Sequence, residues 1–118
     1  MADMAGKGTV KLDQGNFDEF IGSEGKLALV DFWAQWCGPC RAVAPVLEQL
    51  AEDCGDKLAV GKLNVDENRA IAERCGIQGI PTVIVYRGGR ALDTLVGAMG
   101  LEDYKSAIGK HLDTDPGA

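Results

Sequence analysis

The spacing of apolar and polar residues changes partway along the chain, and the change marks the first two elements that can be predicted. Residues Leu27 to Trp33 form an apolar run interrupted only by Asp31, which is typical of a strand buried on both faces. After Pro39 apolar residues recur with a helical period as far as Cys54. The chain therefore passes from a buried strand into a long amphipathic helix.

Similar patterns along the rest of the chain predict the element order β-α-β-α-β-α-β-β-α. Helices separate the first four strands, whereas the glycine pair at 88–89 predicts a hairpin between the last two. These connections predict an α/β fold with a mixed sheet covered by helices on both faces. Strands are expected over Thr9–Asp13, Leu27–Trp33, Leu58–Val65, Thr82–Tyr86 and Ala91–Val96, and helices from Asn16, after Pro39, from a cap at Asp66 or Asn68, and from Leu101.

The length of 118 residues suits one compact domain with a substantial core, and the composition is ordinary for a globular protein, with 46% hydrophobic and 25% charged residues. Short polar, glycine-containing segments stand at both ends. We expect a flexible lead over residues 1–8, one domain over 9–112 and a flexible tail over 113–118.

Charge and hydropathy exclude several kinds of partner. A net charge of −6 and an isoelectric point near 4.6 argue against a nucleic-acid-binding surface. No apolar run approaches the ~20 residues of a membrane span, and Met1 to Gly8 has no apolar signal-peptide core. We therefore expect a cytoplasmic protein that binds neither nucleic acid nor membrane. We also expect a monomer.

Cys37 and Cys40 lie at the junction of the predicted strand and helix, separated by two residues. This spacing allows a reversible disulfide, and it equally allows half of a zinc site. Four-cysteine zinc coordination needs a second close pair, which Cys54 and Cys75 do not provide. The sequence favours a redox-active pair, with no metal and no bound cofactor.

The two cysteines are expected to differ in reactivity. Cys37 precedes the helix, where free backbone N–H groups and the positive end of the helix dipole stabilise a thiolate. Pro39 suits the first helical turn because its missing N–H is not needed there. Cys40 lies one turn further, towards the apolar stripe. We expect Cys37 to attack and Cys40 to resolve.

Asp31 and Lys62 are charged residues within apolar strands. Burial of the Asp31 carboxyl would raise its pKa, so that it could accept the proton of Cys40 near neutral pH. The alternative is a partly hydrated aspartate with a structural role. For Lys62, partnership with Asp31 and a solvated strand face explain the position equally well.

The segment Trp33-Ala34-Gln35-Trp36-Cys37-Gly38-Pro39-Cys40 resembles the active site of the thioredoxin family. The segments at 60–66, 79–82 and 96–98 also resemble thioredoxin segments, in the same order and at matching intervals, so that the likeness covers about Val10 to Leu112. The resemblance implies the thioredoxin fold, a five-stranded mixed sheet flanked by four helices, and a dithiol–disulfide cycle.

The resemblance also implies roles for individual residues. Cys37 matches the exposed nucleophile, Cys40 the resolving cysteine and Asp31 the buried carboxylate. Residues that match the redox-tuning positions are Gly38, Pro39, Lys62 and Pro81, the last as a cis-proline facing the disulfide. Residues that match the apolar surface for partner proteins are Trp36, Val65, Ile80, Val96, Gly97 and Ala98. Gln35 departs from the acidic residue common at its position, which changes the local charge.

These observations predict a general protein-disulfide reductase. By resemblance, its partners are disulfide-containing substrate proteins and a thioredoxin reductase that restores the dithiol. One alternative is a disulfide oxidant or isomerase on the same fold, which the Gly38-Pro39 pair argues against. The other is a protein-binding module without redox turnover.

Overall fold

A computed structural model describes residues 8–112 of the protein, which form a five-stranded sheet in the order β1-β3-β2-β4-β5. The first three strands along the chain run parallel, β4 runs antiparallel to β2, and β5 runs antiparallel to β4. The mixed sheet is therefore confirmed. The strands are β1 (Thr9–Leu12), β2 (Leu27–Trp33), β3 (Leu58–Asn64), β4 (Thr82–Arg87) and β5 (Arg90–Val96).

Four α-helices connect and follow the strands in the predicted order, and a short 3₁₀ turn at Gly55–Lys57 separates the second helix from β3. This arrangement is the thioredoxin fold. The observed bounds of β2 match the prediction, and each of the other strands differs from it by one residue at one end. The helices are α1 (Phe17–Ile21), α2 (Gly38–Cys54), α3 (Arg69–Arg74) and α4 (Leu101–Leu112).

Helix α3 begins without the side-chain cap that the sequence predicted. Asn68 occupies the position before the helix, but its side chain makes no capping hydrogen bond. Its amide Nδ2 instead donates to the backbone oxygen of Asn64 at 3.1 Å, and the residue is 5% exposed. The capping prediction is wrong because this buried amide bonds back to the end of β3.

The core consists of two layers, one on each side of the central strand β2. Leu29 lies in a buried cluster with residues of α2 and α4, and Phe32 lies in a second cluster with residues of α1 and α3. Both faces of β2 are covered, which explains its almost unbroken apolar run. The carboxyl end of this rigid strand is the place where α2 begins.

The predicted lead and tail lie outside the described residues, apart from position 8, so the division at 9 and 112 stays a prediction. Within residues 8–112, every helix is too short or too polar to cross a bilayer.

Candidate active site

The cysteine pair forms a disulfide bond at the first turn of α2, with the two Cα atoms 5.3 Å apart. Cys37 occupies the position before the helix, and Pro39 lies in its first turn. The backbone N–H of Cys40 donates to the Cys37 sulfur at 3.2 Å. A negative charge on that sulfur would therefore be stabilised by a hydrogen bond and by the helix N-terminus.

Both cysteines are buried, although the sequence predicted burial only for Cys40. Cys40 is 2% exposed and Cys37 is 5% exposed. The expectation of an exposed Cys37 is wrong for this oxidised form, because the disulfide holds its sulfur beside Cys40 while Val65 and Ile80 pack against the pair. Gly38 and Pro39 between them are exposed.

Asp31 lies on β2, completely buried, and neither carboxyl oxygen has a hydrogen-bond partner within residues 8–112. Burial raises the pKa of this carboxyl from 3.8 to about 7, although the charge of Lys62 lowers it in part. The predicted desolvation is confirmed. Such a group can accept or release a proton near neutral pH.

Lys62 occupies the position on β3 that is paired with Asp31. Its side chain is half-buried, and Nζ lies 4.9 Å from the centre of the Trp33 ring. The ammonium group thus rests on an aromatic face while its charge acts on the neighbouring carboxyl. The solvated-face interpretation of Lys62 does not describe this environment.

The apolar surface residues lie on four separate segments of the chain. Trp36 is 69% exposed, and its indole N–H donates to Asp66 Oδ2 at 2.8 Å. Val96, at the end of β5, is 65% exposed, whereas Val65 and Ile80 are half-buried against the cysteine pair. Exposed apolar groups beside a reactive pair are typical of a surface that contacts other proteins.

Pro81 connects two of these segments. The Ile80–Pro81 peptide bond is cis, as the resemblance implied. The Pro81 carbonyl accepts a hydrogen bond from the N–H of Gly97 at 2.8 Å, and Gly97 has a φ of +97°. This bond attaches Gly97 and the adjacent Ala98 to the loop before β4.

Asp66 is a site residue that the sequence analysis missed, since it considered this carboxylate only as a helix cap. Its hydrogen bond fixes the orientation of the Trp36 ring. No local pattern indicates this contact, because it depends on β2 and β3 being adjacent parallel strands whose carboxyl ends lie together.

A cysteine pair that can close into a disulfide at a helix start can exchange disulfides with another molecule. The pair follows a central strand that contains a buried carboxyl, and Ile80 of the cis Ile80–Pro81 bond packs against it. This arrangement defines the class of thiol–disulfide oxidoreductases with a thioredoxin fold. The thioredoxin family model matches residues 8–110. The chain belongs to the thioredoxin family.

Three relatives named thioredoxin match between 76% and 93% of the chain. Thioredoxin 2 of Chlorobaculum tepidum is 47% identical over 110 residues, which are 93% of this chain and 96% of the relative. The thioredoxin of Staphylococcus haemolyticus is 48% identical over 87% of this chain and 97% of its own length. The thioredoxin of Bacillus subtilis is 47% identical, with 76% and 86% covered.

Family membership and the cysteine pair together identify the activity. The protein is a protein-disulfide reductase, an enzyme that transfers electrons from its own dithiol to disulfides of substrate proteins. A reductase must then restore the dithiol, because each cycle leaves the cysteine pair oxidised.

Proposed function

We propose that Cys37 attacks the substrate and Cys40 resolves the intermediate. The Cys37 thiolate attacks one sulfur of the substrate disulfide, that bond breaks, and the other substrate sulfur leaves as a thiolate. The Cys40 thiolate then attacks the Cys37 sulfur, which forms the intramolecular disulfide and releases the second substrate sulfur. Supporting this order, the Cys37 sulfur accepts the N–H of Cys40 at the start of α2.

Asp31 is the proposed acceptor of the Cys40 proton. A carboxyl with a pKa of about 7 is partly ionised at neutral pH, which suits a general base. Lys62 keeps a fraction of Asp31 in the ionised form by its charge. Gly38 and Pro39 tune the redox potential, since they set the geometry of the first turn between the two sulfurs.

Substrate proteins are proposed to bind to the apolar surface around the disulfide. Exposed Trp36 directly precedes Cys37, and exposed Val96 precedes Gly97, which is hydrogen-bonded to Pro81. Half-buried Val65 and Ile80 pack against the cysteine pair. Backbone at this surface would come from Pro81, Gly97 and Ala98, because the hydrogen bond from the Gly97 N–H to the Pro81 carbonyl holds their two segments together.

We further propose a cytoplasmic monomer, with one domain over residues 9–112, that a thioredoxin reductase re-reduces. Cys54 and Cys75 are free thiols, which fits a reducing compartment. Within residues 8–112, the other large exposed apolar residues are Val10 and Leu92, on the two edge strands of the sheet, which fits a monomer.

The observation that carries the proposal is the Cys37–Cys40 disulfide at the start of α2. The test is reduction of insulin disulfides with NADPH and candidate thioredoxin reductases, together with a redox titration. We expect turnover and a potential near −270 mV, a value typical of thioredoxins. A potential of about −120 mV would indicate the oxidant alternative. Full cellular function of a Cys37→Ser, Cys40→Ser variant would indicate a binding module.

A further inference from the structure

A recess of about 210 Å³ lies beside the active site. It is bounded by the end of β2, by β1 and β3, and by the first turn of α2. Its volume is below the ~300–1,000 Å³ of typical small-molecule sites, which suits a single side chain better than a whole ligand. Its lining includes Lys11, Trp33, Arg41, Lys62 and Glu67.

The lining of this recess is opposite in charge to the protein as a whole. Lys11, Arg41 and Lys62 carry three positive charges, and Glu67 carries one negative charge. The recess is therefore net positive, although the chain has a net charge of −6. A local field of this kind attracts an acidic group that the rest of the surface repels.

Two of the positive groups are also placed where they repel each other. Lys11 and Lys62 occupy paired positions on the adjacent parallel strands β1 and β3. Like charges at paired positions repel. Within residues 8–112, none of the three cationic side chains, Lys11, Lys62 and Arg41, forms an ion pair. The Arg41 guanidinium donates one hydrogen bond to the backbone oxygen of Gln35, which leaves its other N–H groups for a ligand.

We propose that this recess, the cationic pocket, binds an aspartate or glutamate side chain of the substrate protein near the cysteine that Cys37 attacks. A carboxylate there would accept charge-assisted hydrogen bonds from Arg41 and Lys11 and would relieve the repulsion between Lys11 and Lys62. The pocket adjoins the cysteine pair, since Trp33 in its lining packs against the cluster that contains Cys37 and Cys40, and Arg41 follows Cys40 in α2. The inference rests on the proposed function and adds a preference among substrates.

The test uses two synthetic peptides, each carrying one cysteine as a mixed disulfide with 2-mercaptoethanol. The residues flanking this cysteine are glutamates in one peptide and glutamines in the other. We expect the wild-type protein to reduce the glutamate peptide with about tenfold higher kcat/KM, the size that one or two partly exposed charge pairs supply. The preference should decrease as salt is raised, because exposed charges are screened.

The decisive variant is Lys11→Gln with Arg41→Gln, while Lys62 is retained because its charge acts on Asp31. Its matched control is Lys26→Gln with Lys57→Gln. This variant removes the same charge directly before β2 and β3, at the end of these strands that is opposite to the active site. We expect the preference to fall to near unity in the first double variant and to persist in the control.

Three results would overturn the inference: equal reduction of both peptides by wild type, a preference that survives in the Lys11, Arg41 variant, or a loss that is the same in both double variants. The last result would assign the preference to net charge alone. Failure of wild type to reduce either peptide would instead contradict the proposed function, so that the two outcomes are distinguishable.

Discussion

Asp31 and Lys62 lie side by side on β2 and β3, one completely buried and the other half-buried. Burial and the lysine charge act on the Asp31 carboxyl in opposite directions, and burial is the larger effect. The result is a pKa of about 7, in the range where a carboxyl can both accept and return a proton.

Removal of the Lys62 charge should raise the pKa of Asp31 above 7. In Lys62→Met an unbranched apolar side chain of similar length replaces the lysine, and the ammonium that favours the ionised carboxyl is lost. The measurement is a ¹³C NMR titration of the Asp31 carboxyl carbon in the oxidised protein. Lys57→Met is the control, and its titration should match wild type. An unchanged Asp31 midpoint in Lys62→Met would refute the coupling.

Asp31→Asn should stabilise the protein increasingly as pH rises. The pKa of Asp31 is 3.8 in the unfolded chain and about 7 in the folded protein. Below pH 3.8 both states hold the proton, and stability is unaffected. Between pH 3.8 and 7 only the folded state keeps the proton, so that folding becomes less favourable as pH rises. Above pH 7 this cost levels off at about 4 kcal/mol. The variant should recover most of this difference.

The measurement for Asp31→Asn is denaturant unfolding of both proteins at pH 4, 6 and 8. Asparagine buries an uncharged amide at every pH, so the change of the stability difference with pH carries the test. If the variant lost stability at pH 8 relative to pH 4, the carboxylate would be charged and well paired in the folded state. Its single-turnover reduction should also be slower, because Cys40 loses its proton acceptor.

Trp36 should contribute strongly to substrate binding and little to folding. Trp36→Ala removes a 69% exposed indole from the surface beside Cys37, and central tryptophans of this kind commonly dominate interfaces. We expect kcat/KM for a protein disulfide to fall about tenfold. Asp66→Asn, which weakens the bond to the indole N–H, should have a smaller effect of the same sign. The control is Leu92→Ala, which truncates an exposed apolar side chain on β5. An equal loss of kcat/KM in that variant would contradict the role of Trp36 in substrate binding.

Gly97→Ala should destabilise the loop that meets Pro81. Gly97 has a φ of +97°, a conformation that an alanine adopts only with strain, although its Cβ would have open space. We expect a loss of about 1–2 kcal/mol in the free energy of unfolding. Gly79→Ala is the control, since that glycine also has open space but no positive φ. Equal stabilities of the two variants would show that backbone conformation at Gly97 is not limiting.

Much of this fold follows from local patterns. The apolar run of β2, the helical period of α2 and the glycine hairpin at 88–89 each depend on neighbouring residues, and all three are present in the structure. Asp31 was found in the same way, because a charge inside an apolar run stands out. The prediction of its burial needed only the strand that contains it.

Other features depend on which strands become neighbours, and local patterns do not reveal them. The contact between Trp36 and Asp66 joins residues 30 positions apart. The pairing of Lys11 with Lys62 requires β1 to lie next to β3, although it is first in the chain. The low exposure of Cys37 likewise arises from packing by Val65 and Ile80, which lie on distant segments.

In the proposed cycle, Cys37 forms the disulfide bond to the substrate and Cys40 breaks it. The most direct measurement is mass spectrometry of covalent adducts after incubation of Cys37→Ser and Cys40→Ser with a disulfide-containing protein such as insulin. Cys40→Ser should accumulate a mixed disulfide through Cys37, because attack occurs without resolution, and Cys37→Ser should form almost none. Adducts on Cys40 in Cys37→Ser, with none in Cys40→Ser, would contradict the account.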